Sequence, residues 1–281
     1  MIIIIYSTML LRYNKKGCQK MARVARVQSP TDYYHVIMRG NNKESIFTRT
    51  SEKAYFKDLL KEVSEEGLID IAAYCIMDNH VHIVIKAELN NMTKALKKVN
   101  IKYAMNFNKE RNRIGHVFQD RYKSEIISND MHLIQVIRYV HNNPVKAKMV
   151  EGPNIYKWSS FNEYIKENKS RIVSKRQKEI ILSLNNGIGN FIEFHKIEDD
   201  NEYLEINEDR DLYRLEKAQS IISAYFKEKG IFEAKELNKS SRMLEEIVIS
   251  LLDRTKLSQR KIASILGISN HTVYSINKER G

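Results

Sequence analysis

The alternation of apolar and polar positions divides this chain into short strands and longer helices. Tyr33-Tyr34-His35-Val36-Ile37-Met38 is β-prone and runs into Arg39-Gly40-Asn41-Asn42, a turn signal. Over 51–66 the period becomes helical: Tyr55, Leu59, Leu60 and Val63 share a face, and Gly67 follows as a stop. A strand is predicted over 68–77, a tight turn at Asp78-Asn79, and a returning strand from His80, together an antiparallel hairpin. Residues 91–109 predict a long amphipathic helix with Met92, Leu96, Val99, Tyr103 and Phe107 on one face. Residues 117–127 alternate as a strand does. Ser128-Asn129-Asp130 predicts an N-cap, and 131–142 a helix that Pro144 stops, because proline disfavours the α conformation in the residue before it. The order β-α-β-β-α-β-α predicts an α+β domain, a mainly antiparallel sheet with helices packed on it.

After Glu151 the pattern changes. Tyr156-Lys157-Trp158-Ser159-Ser160-Phe161 is expected to pack back onto the first domain. Residues 197–211 are acidic and polar, a linker or a solvated face; the alternative is an acidic mimic that competes with DNA for a basic groove. Residues 257–276 look like a helix-turn-helix. Ala263 lets the second helix approach, Gly267 supplies the turn, and Ile262, Leu266, Ile268, Val273 and Ile276 form a shared core. Ser269 would cap a recognition helix exposing Asn270, His271, Tyr274 and Ser275. An ordinary helical hairpin is the alternative. The expected division is an N-terminal extension at 1–20, a catalytic domain at 21–165, a helical and acidic linker at 166–235, and a smaller all-α DNA-binding region at 236–281.

Composition narrows the partners. The chain has 281 residues, 42% of them apolar, and a formal charge of +12, which points to an acidic polymer, most often nucleic acid. Its two cysteines, Cys18 and Cys75, fit a reducing cytoplasm, with a place at the nucleoid, and argue against a disulfide framework or a cysteine-rich zinc site. The apolar run at 2–11 is short of the roughly 20 residues a membrane span needs, so no membrane partner is expected. Its charges follow the run, unlike those of a signal peptide. The first twenty residues read as an extension without a fold of its own, with Met21 as an alternative start.

The chemistry centres on Met77-Asp78-Asn79-His80-Val81-His82-Ile83-Val84-Ile85. Strand side chains alternate, so His80 and His82 point one way and Val81, Ile83 and Ile85 the other. Two readings are open: half-buried, hydrogen-bonded histidines on a wet strand, or two ligands of one metal. Tyr139 and Asn143 are four apart and share a helix face. If that face meets the histidine strand, Asn143 brings a carbonyl oxygen and Tyr139 a phenol. Otherwise Tyr139 is a core tyrosine and Asn143 a C-cap. A phenol has a pKa near 10 and is a poor nucleophile at neutral pH. A divalent cation would favour its phenolate and polarise a phosphoryl oxygen. Tyr103 is a weaker nucleophile candidate, because position 107 is Phe rather than Asn. Arg39, Lys94, Lys98, Lys102, Arg113, Arg121, Tyr122 and Lys123 are candidates for single-strand contacts, or are solvated residues on helix backs.

Three segments together carry a resemblance: Tyr34-His35-Val36 with Arg39-Gly40-Asn41; His80-Val81-His82; and Tyr139-Val140-His141-Asn142-Asn143-Pro144-Val145-Lys146-Ala147 followed by Trp158-Ser159-Ser160. Over about residues 21–165 the chain resembles the HUH-type single-tyrosine transposases, closest to the REP-associated and insertion-sequence members. The resemblance implies a ferredoxin-like antiparallel palm with the histidine pair on a central strand. It implies Mg²⁺ or Mn²⁺ held by His80, His82 and Asn143. Tyr139 would attack single-stranded, hairpin-flanked DNA, giving a 5′-phosphotyrosine and a free 3′-hydroxyl, in a monomer or homodimer. The helix-turn-helix lies outside that family's minimal core and would add double-stranded DNA as a partner. The rivals are a DNA-binding regulator whose palm no longer cuts, and a nuclease that activates water.

Overall fold

The computed structural model describes residues 26–166, 172–197, 203–204, 207–230 and 240–279. The expected N-terminal extension, Met21, Cys18 and much of the acidic stretch lie outside the described residues. The chain divides into two units, residues 1–197 and 198–281.

In the first unit the elements run β1 (Tyr33–Arg39), α1 (Thr50–Glu65), β2 (Asp70–Ile76), β3 (His80–Lys86), α2 (Leu89–Glu110), β4 (Lys123–Ile126) and α3 (Asp130–Lys146). The strands form one antiparallel sheet in the order β2-β3-β1-β4. That order places the histidine-bearing β3 inside the sheet, in a ferredoxin-like palm. One face of the sheet is apolar: Tyr34, Val36 and Met38 of β1 and Val81, Ile83 and Ile85 of β3 pack with Phe56, Leu59 and Leu60 of α1 and Met92, Leu96, Val99 and Tyr103 of α2. Period-2 alternation then forces the odd residues of β1 and the even ones of β3 onto the opposite face, where α3 lies against β2 and β3.

Three expectations need correction. Helix α3 does not stop at Pro144 but runs through it to Lys146. Proline deprives the helix of a single donor, and so near the end little else is lost; Pro144 is itself buried in the packing. The strand expected over 117–127 is reduced to four residues. Gly40 faces Phe118 while Ile37 faces Lys123, so the pairing slips by two residues and the ladder breaks there. Finally, residues 172–197 are not linker. They carry α5 (Lys175–Leu184) and α6 (Ile188–Lys196), which belong to the first unit.

Residues 156–161 return to the palm as expected. Ile76 N–H donates to Trp158 O at 2.9 Å and Ser160 N–H to Tyr74 O at 3.0 Å, so the segment covers the outer edge of β2. A short helix, α4 (Phe161–Ile165), follows. Its buried Glu163 accepts from Tyr74 Oη at 2.6 Å and from the backbone of Ile172 and Val173 at 2.9 and 3.0 Å. Helix α6 is held by a chain of neutral groups: His195 Nδ1–H donates to Phe191 O at 2.7 Å, and His195 Nε2 meets His141 Nδ1 at 2.9 Å. His141 Nε2 then meets Ser160 Oγ at 2.8 Å. The order resembles a nucleophile-base array, yet both His141 and Ser160 are wholly buried, so it is a clamp between α3, α6 and the β2 edge.

The second unit holds α7 (Asn207–Lys229), α8 (Ser241–Thr255), α9 (Gln259–Leu266) and α10 (Asn270–Glu279). Ile247, Val248, Leu251, Ile262, Ala263, Leu266 and Val273 are its buried centre. Ser258 caps α9, Gly267 adopts the left-handed turn conformation, and Thr272 N–H donates to Ser269 Oγ at 3.0 Å at the start of α10. No helix among the described residues is long and apolar enough to cross a membrane.

The clamp is sensitive to acid. Burial holds His141 well below the usual 6.5 and pushes His195 down to about 4. Below 6.5 the unfolded chain therefore binds protons that the folded unit refuses. The stability they contribute is present above that pH and is lost on descent toward 4, at about 1.4 kcal/mol per pH unit for each site. Denaturant unfolding at pH 7.5 and 5.0 is expected to show this loss, and His195→Gln to reduce the difference by about 1–2 kcal/mol.

Candidate active site

The histidine face of the sheet gathers four rings. In β3 register, His80 lies opposite Arg39, and His82 lies opposite Ile37 on one side and Cys75 on the other. Directly opposed residues share a face, so Arg39, Cys75 and both histidines look the same way. His35 lies diagonally from His82 on β1, and its Nε2 is 3.0 Å from His82 Nδ1. The rings of His80 and His82 meet edge-on at 4.8 Å between centroids.

Helix α3 supplies the fourth ring. Asn129 caps its start by accepting from His132 N–H at 2.9 Å. Three turns on, Tyr139 lies edge-on to both His82 and His35, with centroids 5.5 and 5.7 Å apart. Tyr139 is only 3% exposed, so its phenol lies against the sheet rather than in solvent. One turn later, Asn143 Nδ2 donates to Tyr139 O at 3.0 Å. A carbonyl can only accept, so the amide nitrogen must face it, which leaves the lone pairs of Oδ1 unused by that bond. Lys146, exposed at the helix end, places Nζ 4.8 Å from the Tyr139 ring centroid.

Electrostatics keep the histidines neutral. Burial, with the charge of Arg39 beside it, pushes His80 down to about 4. Burial also holds His82 well below 6.5, with His80, His35 and Lys146 adding to the effect. His35 is pushed down to about 3, mainly by burial. Neutral imidazoles have a lone pair to give, as a metal ligand must. Cys75 lies next to His82, but burial pushes its thiol up, so it remains protonated and is a poor ligand. Among the described residues, no three His, Cys, Asp or Glu side chains form a metal group by themselves. His35 does not complete one, because its Nε2 is engaged with His82. A cation on this face would have two imidazole nitrogens to bind, and the Asn143 amide oxygen would be the third donor expected from the sequence. Mixed nitrogen and oxygen donors of this kind suit a divalent ion with open positions for substrate.

The residues expected to contact DNA separate into groups. Arg39 is buried at the end of β1, beside His80. Lys123 is exposed and lies opposite Ile37, on the histidine face; Arg121 is exposed two residues before it. Tyr122, expected as a stacking ring, is instead 7% exposed and part of the apolar core. Its hydroxyl meets Thr93 Oγ1 at 3.0 Å and Arg26 covers its ring at 3.9 Å. Lys98 and Lys102 are on α2, across the sheet from the histidines, paired with Glu62 at 2.8 and 2.6 Å; Lys98 also pairs with Glu66. Arg113 pairs with Glu44. Tyr103 is likewise on the apolar face, its hydroxyl bonded to Ile46 O. In the second unit Asn270, His271 and Tyr274 are exposed on α10, Tyr274 by 52%.

Comparison with known proteins follows the same map. The chain is 22% identical over 145 residues to a Haemophilus influenzae protein described as a REP-associated tyrosine transposase, covering 48% of this chain and 81% of that one. A solved REP-associated tyrosine transposase bound to a REP hairpin superposes with a TM-score of 0.45 at 17% identity, over 55% of this chain and 91% of that one. A Deinococcus radiodurans protein described as a transposase gives a TM-score of 0.30 at 16% identity, over 46% of this chain and 97% of its own. The family profile described as Transposase IS200 like matches residues 29–143, from just ahead of β1 to Asn143 itself.

Proposed function

We propose that this chain is a transposase that cleaves and rejoins single-stranded, hairpin-flanked DNA with Tyr139 as nucleophile, assisted by Mg²⁺ or Mn²⁺ held by His80, His82 and Asn143. The observation that carries the reading is the edge-on packing of Tyr139 against His82 and His35, one helical turn before Asn143.

When bound, the cation would supply Lewis acidity at a phosphoryl oxygen. The chain's own residues do the rest. Tyr139 Oη attacks the phosphorus and the bond from phosphorus to the 3′ oxygen breaks. The phenol proton leaves with the attack, and the 3′ oxygen takes one up to become a hydroxyl. One phosphodiester replaces another, so the energy of the bond is kept and reversal joins a new strand. Lys146 and Arg39 are the cations nearest this chemistry, by their effects on His82 and His80, and suit the non-bridging oxygens of the phosphate. Tyr139 is 3% exposed, so its phenol has to be uncovered for DNA to reach it.

We further propose that the second unit binds double-stranded DNA with α10 in the major groove. The helix pair has the cap, left-handed glycine and shared core of such a module. Its charge supports the assignment: residues 254–278 contain five Lys or Arg and no Asp or Glu.

Two experiments test these readings. A labelled single-stranded hairpin incubated with protein and Mn²⁺ is expected to give an SDS-stable adduct, lost in Tyr139→Phe and on chelation. Cutting without an adduct would instead identify a water-activating nuclease, and neither cutting nor adduct would favour a regulator. The double variant Asn270→Ala, Tyr274→Ala in the full chain is expected to weaken duplex binding by about 10–100-fold in a gel-shift titration, while adduct formation on the single strand persists.

A further inference from the structure

We propose that His35 and Asn79 are positioning residues that fix His82 and His80 in the tautomer carrying the proton on Nδ1, which leaves both Nε2 lone pairs for the cation. The inference rests on the metal site proposed above and concerns residues that do not touch the metal.

The Asn79 half follows from one contact. Asn79 Oδ1 is 2.6 Å from His80 Nδ1. An amide oxygen only accepts, so the proton of the neutral ring is on Nδ1 and Nε2 is bare. Asn79 is itself held at the β2–β3 turn: its carbonyl accepts from Gly40 N–H at 2.9 Å, and the neighbouring Asp78 is pinned by Lys53 Nζ at 2.7 Å and by Phe47 N–H at 2.8 Å. Lys53 in turn lies 3.1 Å from Tyr156 Oη. The turn that begins the histidine strand is thus tied to β1, α1 and the returning 156–161 segment.

The His35 half is a choice between two proton arrangements across the 3.0 Å contact of His35 Nε2 with His82 Nδ1. If His35 donates, the His82 proton moves to Nε2 and the ring cannot ligate. If His82 Nδ1–H donates, His82 Nε2 is free, and the proton of His35 goes to its own Nδ1. His35 Nδ1 is buried and has no hydrogen-bond partner among the described residues. A wholly buried ring with one nitrogen unpaired is a costly way to fill the sheet. Its one hydrogen bond goes to His82, so that bond is what the ring provides. A hydrogen bond to the far nitrogen of a ligating histidine sets both its orientation and its tautomer. His35 also packs edge-on to Tyr139, so the same ring spaces the nucleophile from the ligand pair.

The test is Mn²⁺ titration of the full chain, read from the free-ion electron paramagnetic resonance signal. The wild type, His82→Ala, His35→Leu and His35→Gln are compared, with thermal midpoints as the folding control. His35→Leu is expected to weaken Mn²⁺ binding by about 10–100-fold. His35→Gln is expected to restore it, because Gln Oε1 can accept from His82 Nδ1–H where Leu cannot. A folded His35→Leu protein that binds Mn²⁺ as the wild type does overturns the inference. Should that variant not fold, ¹⁵N-histidine NMR of the Mg²⁺-loaded wild type decides: a proton on Nδ1 of both His80 and His82 supports it, and a proton on Nε2 of either overturns it for that residue. Wild-type protein that binds no Mn²⁺, or His82→Ala that binds it equally well, overturns the metal site itself.

Discussion

The period of the β-strand is the constraint on which the site depends. Val81, Ile83 and Ile85 are locked into the apolar face between the sheet and helices α1 and α2. Because successive side chains alternate, that burial leaves His80 and His82 no option but the opposite face. A slip of one residue would put the histidines into the apolar core, where their ring nitrogens have no partners, and turn the valine and isoleucines toward helix α3. The core thus holds the histidine pair in place without touching it. The same rule on β1 puts His35 and Arg39 beside them.

Around that face the protein accumulates neutral histidines, all buried except the half-buried His80. His35, His80 and His82 form one group, and His141 with His195 another, both held below their usual pKa by burial. The two groups have different work. The first packs its rings against Tyr139. The second is closed into hydrogen bonds with Ser160 and Phe191 O and clamps α6 to the palm. Helix α3 joins them, since Tyr139 and His141 lie on different sides of it.

Much of this was legible in the sequence. The β-α-β-β-α-β-α order, the apolar stripe of α2, the Asn129 cap and the shared face of Tyr139 and Asn143 all follow from local periods, and all are present. What failed depends on information that local patterns lack. A helix shows which of its faces is polar but not which side of the sheet it will cover, so Lys98 and Lys102 looked available yet pair with α1 behind the sheet. Tyr122 looked like a stacking ring because its neighbours are basic, but its side chain closes the apolar core. His35, Asn79 and Lys146 went unassigned because their roles depend on cross-strand register and on helix α3 continuing past Pro144. Residues 172–197 read as linker because a local pattern does not show which distant surface a short helix packs on; Phe191 packs against Phe161, Tyr164 and His141.

The central claim is that Tyr139, the ring that helix α3 sets against His82 and His35, performs the attack. Protease digestion of the protein–DNA adduct, followed by mass spectrometry of the nucleotide-linked peptide, tests it most directly. The expected result is a single modified residue, Tyr139, joined to the 5′ phosphate. A modification on Tyr103, or on any tyrosine of the apolar face, would contradict the account.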